Sequence, residues 1–316
     1  MASPFKRELS IVPPPPPPPQ PTPREAGALD PEHLLEKKIE ALRQAAQRVR
    51  RGEDGKAVHD ARVATRRLQA LLDVWKAELA PKPRRRARRA LSRLRLRLGA
   101  ARNREVSLEQ IERVVTEAVG EDAAALDALV SRLRKQLPGD RAKVERAARK
   151  KNVESIVRDL RASVKRGSLE EWAGEKAMRE AVARVERRRD DALTAIDRAL
   201  ADRRDQPLHR ARIEAKKWRY AEEAVAEMMG VKSPKVVSEL RGLQGSLGEN
   251  QDRAVLAALL ERMAHRETKR ENGARAQALR SRAAALHAER ARHRTEWASR
   301  RDRLRAVLSV PSLRSD

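Results

Sequence analysis

The segment 59–68 reads HDARVATRRL, and the segment 209–218 reads HRARIEAKKW. Each sets a histidine, an arginine at +3, a β-branched aliphatic at +4 and two basic residues at +7 and +8. Residues on a helix lie about 100° apart, so the histidine, the +3 arginine and the +7 base share an arc of about 60°. These are His59, Arg62 and Arg66 in the first copy, and His209, Arg212 and Lys216 in the second. Three donors on one edge suit a run of anionic oxygens. Arginine offers a planar fork that grips two oxygens, and lysine adds a point charge. A histidine beside an anion donates from either ring nitrogen and is favoured in its protonated form. Arg67 turns to another side, and Tyr220 falls on the histidine side.

Helices must hold these edges. In the first copy Ala61, Ala64, Leu68, Leu72, Trp75 and Leu79 form a narrow apolar stripe, with the basic edge roughly 120–180° away. In the second, Ala211, Trp218, Ala221 and Val225 form the stripe. Glu214 interrupts it, with Lys217 or Lys216 as candidate partner. Asp30-Pro31 reads as a helix start, followed by Leu34, Leu35, Ile39, Leu42, Ala46 and Val49 at helical spacing. Further helices are expected at about 84–98, 103–119, 122–136, 141–165, 176–203, 234–247, 250–270 and 273–308, with boundaries good to ±2–4 residues. No segment reads as a strand, so the expected fold class is all-α.

The repeat extends past the basic helices. Leu91, Leu94, Leu98 and Gly99 return as Leu240, Leu243, Leu247 and Gly248, a constant offset of 149 residues. Two halves of the same helix order follow, about 31–170 and 171–310, expected to pack about an approximate two-fold axis. Ten of the 17 prolines fall in the first 23 residues, seven of them consecutive from Pro13 to Pro19. Residues 1–30 are therefore expected to be an extended tail outside the core.

Composition narrows the partner. The chain has 316 residues, 72 Lys+Arg against 46 Asp+Glu, and a net charge of +26. That imbalance repels itself in a compact state and points to a polyanion. Hydrophobic residues still reach 40%, enough for a core, while aromatics are 2%. There is no cysteine, which excludes disulfides and thiolate metal sites and fits a cytoplasmic location. No apolar run approaches the ~20 residues of a membrane span, and the N-terminus does not read as a signal peptide.

The pattern H-x-x-R-[VI]-x-x-[RK]-[RK], written twice, resembles the CHAD domain (conserved histidine α-helical domain). Each copy is followed by a matching turn signature: 98–103 reads LGAARN, and 243–252 reads LQGSLGENQD. The resemblance covers about residues 31–310. It implies two similar helical bundles in tandem around a basic central cavity or groove. It further implies binding of inorganic polyphosphate and association with polyphosphate granules, with no cofactor or metal. The residues it assigns to binding are His59, Arg62, Arg66, Arg67, Arg102, His209, Arg212, Lys216, Lys217, Arg219 and Tyr220. Two positions depart from the family pattern: Asn103 stands where Asp is usual, and Trp218 where Leu is frequent. The E-x-E-x-K motif of the triphosphate-hydrolysing domain fused to some members is absent, so the chain resembles a stand-alone binding module.

Two other readings compete. His59-Asp60 matches the H-D pair of metal-dependent phosphohydrolases, but no set of ligands converges with it, so no enzymatic activity is expected. Sequence-independent nucleic-acid binding is the stronger rival, because 84–97 reads RRRARRALSRLRLR. Against it stand the few aromatics available for base stacking and the lack of a recognition motif.

Overall fold

The computed structural model describes residues 31–53, 55–115, 121–164, 174–202, 204–231 and 235–309. The proline-rich segment 1–30 lies outside them. The described residues form nine α-helices: α1 (Pro31–Arg50), α2 (Gly55–Val74), α3 (Pro81–Val115), α4 (Glu121–Ala147), α5 (Lys150–Arg161), α6 (Glu175–Ala201), α7 (Asp205–Met229), α8 (Lys235–Lys269) and α9 (Gly273–Ser309). Apart from one isolated bridge between Leu79 and Val164, no extended pairing occurs among them.

The apolar stripes bury as their spacing dictates. Leu34, Ile39 and Leu42 of α1 are fully buried, as are Leu68 and Leu72 of α2 and Ala211 of α7. Trp75 and Trp218 are also at 0% exposure. A buried side chain of this size contributes roughly 1.5–3 kcal/mol, so each stripe is ample to seat its helix. The Trp218 indole N–H donates to Glu222 Oε1 at 2.8 Å, so the ring enters the core without an orphaned donor. Gly52, just past α1, and Gly230, just past α7, have φ of 72° and 69°. A side chain would be strained there, and each glycine lets the chain turn out of its helix.

Two apolar cores result. The larger joins α1, α2, α5, α6 and α7 to the N-terminal parts of α3 and α8, to Val144 and Ala147 at the end of α4, and to Trp297 and Leu304 of α9. The smaller gathers Leu108, Ile111, Val130, Leu133, Leu256, Leu260, Leu279 and Leu286, from the C-terminal parts of α3 and α8 and the N-terminal halves of α4 and α9. Both cores draw on both halves of the chain. The long helices α3 and α8 run from one core to the other. Helix α2 lies on α7, α3 on α8, and α4 on α9.

Three expected breaks are absent. The spacing predicts turns near 99–102 and 248–249, yet α3 and α8 pass through Gly99 and Gly248 without interruption. Glycine weakens a helix interior by only about 1 kcal/mol, which packing against α2 and α7 offsets. Helix α4 likewise continues through Pro138, and the true break falls at Ala148 and Arg149, before α5. A proline removes one helical hydrogen bond and kinks the backbone, but it does not end a helix that neighbours hold in place.

Candidate anion-binding site

The basic edges of α2 and α7 meet where the two helices lie side by side. Lys216 is central. Arg212 and Arg219 of its own helix and Arg62 and Arg66 of α2 all act on its charge. Burial is the largest influence, and the four guanidiniums add to it, pushing the Lys216 ammonium down to about 6. Arg212 is lowered too, chiefly by burial and further by Arg66, with Asp252 of α8 acting the other way. Its Nε is buried without a hydrogen-bond partner. Like charges brought together away from water oppose folding, so the arrangement is costly in the absence of an anion.

Helices α3 and α8 form the outer walls. Antiparallel rungs join α2 to α3. Arg88 Nε lies 3.1 Å from Asp73 Oδ1, Gln69 donates to Ser92 Oγ at 2.8 Å, and Arg62 Nη1 donates to the Gly99 carbonyl at 3.2 Å. A Cβ on Gly99 would lie 3.3 Å from Arg62 Nη1, and one on Gly248 would lie 3.4 Å from Arg212 Nη2. Each glycine thus gives its arginine room to lie flat on the neighbouring helix. On α8, buried Gln244 donates to the Ala215 carbonyl at 2.9 Å and fixes the α7–α8 register.

The candidates from sequence divide into groups. Arg62, Arg66, Arg212 and Lys216 converge, with Arg219 beside them. His59 and His209 sit on the exposed first turns of their edges. Lys217 is drawn aside: with Arg210 it pairs to buried Glu214, at 3.0 and 2.9 Å. Of the two partners foreseen for Glu214, Lys217 is the one it takes. Arg67 and Tyr220 line a different cleft of about 400 Å³, with Lys37, Lys38, Glu223 and Glu227. There Arg67 faces Glu223 at 3.8 Å, and the Arg219 guanidinium lies 4.4 Å from the centre of the Tyr220 ring. Tyr220 is buried, although it lies on the same side of α7 as the exposed His209. Arg102 lies on α3, but its side chain is outside the described residues.

Sequence reasoning missed two participants. Asp252, the acid acting on Arg212, closes the second turn signature and could have been paired with Arg212 through the parallel repeat. Arg95 of α3 faces Arg66, and its pKa is lowered by burial first and by Arg66 second. Its position one turn before Gly99 was the available signal.

The CHAD domain family model matches residues 33–261, well over half of the chain. This protein belongs to the CHAD domain family. The family is linked in general to polyphosphate binding. Among solved structures the fold is similar to that of the CHAD domain from the plant Ricinus communis. That likeness has a TM-score of 0.65 at 22% identity, covering 91% of this chain and 94% of that one. It is also similar to PptA from Streptomyces chartreusis, with a TM-score of 0.59 at 20% identity, covering 87% and 99%. At these identities the likeness is one of fold. No curated protein matches. No described helix is long and apolar enough to cross a membrane.

Proposed function

We propose that this CHAD protein is a non-enzymatic binding module for inorganic polyphosphate. The anion is held by the duplicated basic helices α2 and α7, and binding directs the protein to polyphosphate granules in the cytoplasm. The observation that carries this reading is the convergence of Arg62, Arg66, Arg212 and Lys216 on one desolvated spot, where Lys216 is held down to about 6. A cluster that opposes folding when empty is relieved by a dense polyanion. The polymer brings one charge per phosphate, and the forked guanidiniums grip its oxygens in pairs. The tandem halves, about 31–170 and 171–310, would supply one basic helix each across an approximate two-fold axis.

Nucleic acid is the alternative polyanion, and the aromatics argue against it. Single-strand binders stack bases on exposed rings. Trp75, Trp218, Trp297 and Tyr220, the aromatics among the described residues, are all buried. Competition is the test. Long-chain polyphosphate should displace single- and double-stranded DNA at ~150 mM salt, because charge alone binds weakly there. Equal competition per phosphate would sink the polyphosphate reading. Neutralising the cluster (Arg62→Gln, Arg66→Gln, Arg212→Gln and Lys216→Met together) should remove binding while helicity by circular dichroism is kept.

A further inference from the structure

The α2–α3 and α7–α8 walls are not equivalent. The Gln69–Ser92 and Arg62–Gly99 rungs bracket Arg66 and Arg95, which therefore face each other across the α2–α3 seam. The position 149 residues after Arg95 is Gln244. That glutamine is buried, and its amide is spent on the Ala215 carbonyl beside Lys216. Arg95, by contrast, is solvent-accessible, and no carboxylate among the described residues pairs with it. Arg88, two rungs along the same flank, is held by Asp73 at 3.1 Å, so the open cationic strip ends at Arg95.

We infer that Arg95 is an additional anion contact, which extends the site from the central cluster over the α3 wall and leaves the α8 wall closed by Gln244. This rests on the polyphosphate reading of the cluster and gives it a direction. The bound polymer runs from Lys216 and Arg212, past Arg66, and out over α3. Gln244 has the opposite task, which is to fix α8 against α7.

Two point variants and two controls test this with long-chain polyphosphate in titrations at several salt concentrations. Arg95→Gln should bind about fivefold to tenfold more weakly, as expected for one charge-assisted contact. Its plot of log affinity against log salt should be shallower by about 0.7, the loss of one phosphate contact. Arg93→Gln removes an exposed arginine on the same helix and should stay within about twofold, since a remote surface charge acts mainly on association rate. Gln244→Ala should lower the melting temperature and leave the salt slope unchanged. The inference is overturned if Arg95→Gln weakens binding no more than Arg93→Gln, or if Gln244→Ala flattens the salt slope as Arg95→Gln does. The neutralised quadruple variant separates the two levels. If it binds like the wild type, the central reading itself falls. If it fails to bind while Arg95→Gln is silent, only the extension falls.

Discussion

Lys216 shows how a single residue can couple binding to protons. Its ammonium is depressed from 10.5 to about 6, so the unfolded chain holds a proton that the folded chain lacks between those values. Stability then rises with pH across that window, and the full penalty is present below about pH 6. A bound polyanion reverses the balance and recharges the lysine. Affinity should therefore increase as pH falls from about 8 toward 6 and level off below, where Lys216 is already protonated. Calorimetry in buffers of different ionisation enthalpy should record proton uptake on binding at pH 7.5. Lys216→Arg should abolish the part of that uptake owed to this residue, because arginine stays charged. Lys216→Met should raise the melting temperature by about 2–5 °C at pH 6 and by less at pH 9. A gain that does not vary with pH would mean that Lys216 is charged in the free protein throughout.

At the scale of elements, the stripes were legible because they depend only on spacing within one helix. Every stripe residue of α1, α2 and α7 named from sequence is buried. What the spacing could not supply was which flank of α3 meets α2, and so Arg95 escaped notice while Arg62 and Arg66 did not. The glycines misled for a related reason. Gly99 and Gly248 carry helix-breaking propensity, yet their use lies in the space they leave for Arg62 and Arg212. Gly99→Ala follows from that. Alanine favours the helix by about 1 kcal/mol, while its Cβ pushes Arg62 aside by a few tenths of an ångström. The melting temperature should rise by about 1–3 °C, and polyphosphate affinity should fall about twofold to threefold. A bulkier Gly99→Leu should deepen the binding loss. Should Gly99→Ala lower the melting temperature instead, the Arg62–Gly99 contact is too rigid to relax and is structural in role.

For the whole molecule the question is how a net charge of +26 divides between a site and a surface. Much of it is locally answered: Arg43 is paired to Glu154, Arg161 to Glu36, and Arg305 to Asp197. Exposed pairs of this kind contribute little to stability and are screened by salt. Arg85, Arg89 and Arg93 lie exposed on α3 and raise the general positive potential of the surface. Under the proposed function the specific term would come from five cations, namely Arg62, Arg66, Arg212, Lys216 and Arg219, gathered at the junction of α2 and α7. Each phosphate contact to a flexible polyanion contributes about −0.7 to the slope of log affinity against log salt. Five contacts predict a slope near −3.5, and the Arg95 contact would carry it to about −4. Titrations between ~50 and ~300 mM salt check this directly, since that range spans a change of roughly 10² to 10³ in affinity for such a slope. A slope beyond about −8 would assign binding to the surface as a whole, and then the duplicated helices would be a scaffold for charge placed elsewhere.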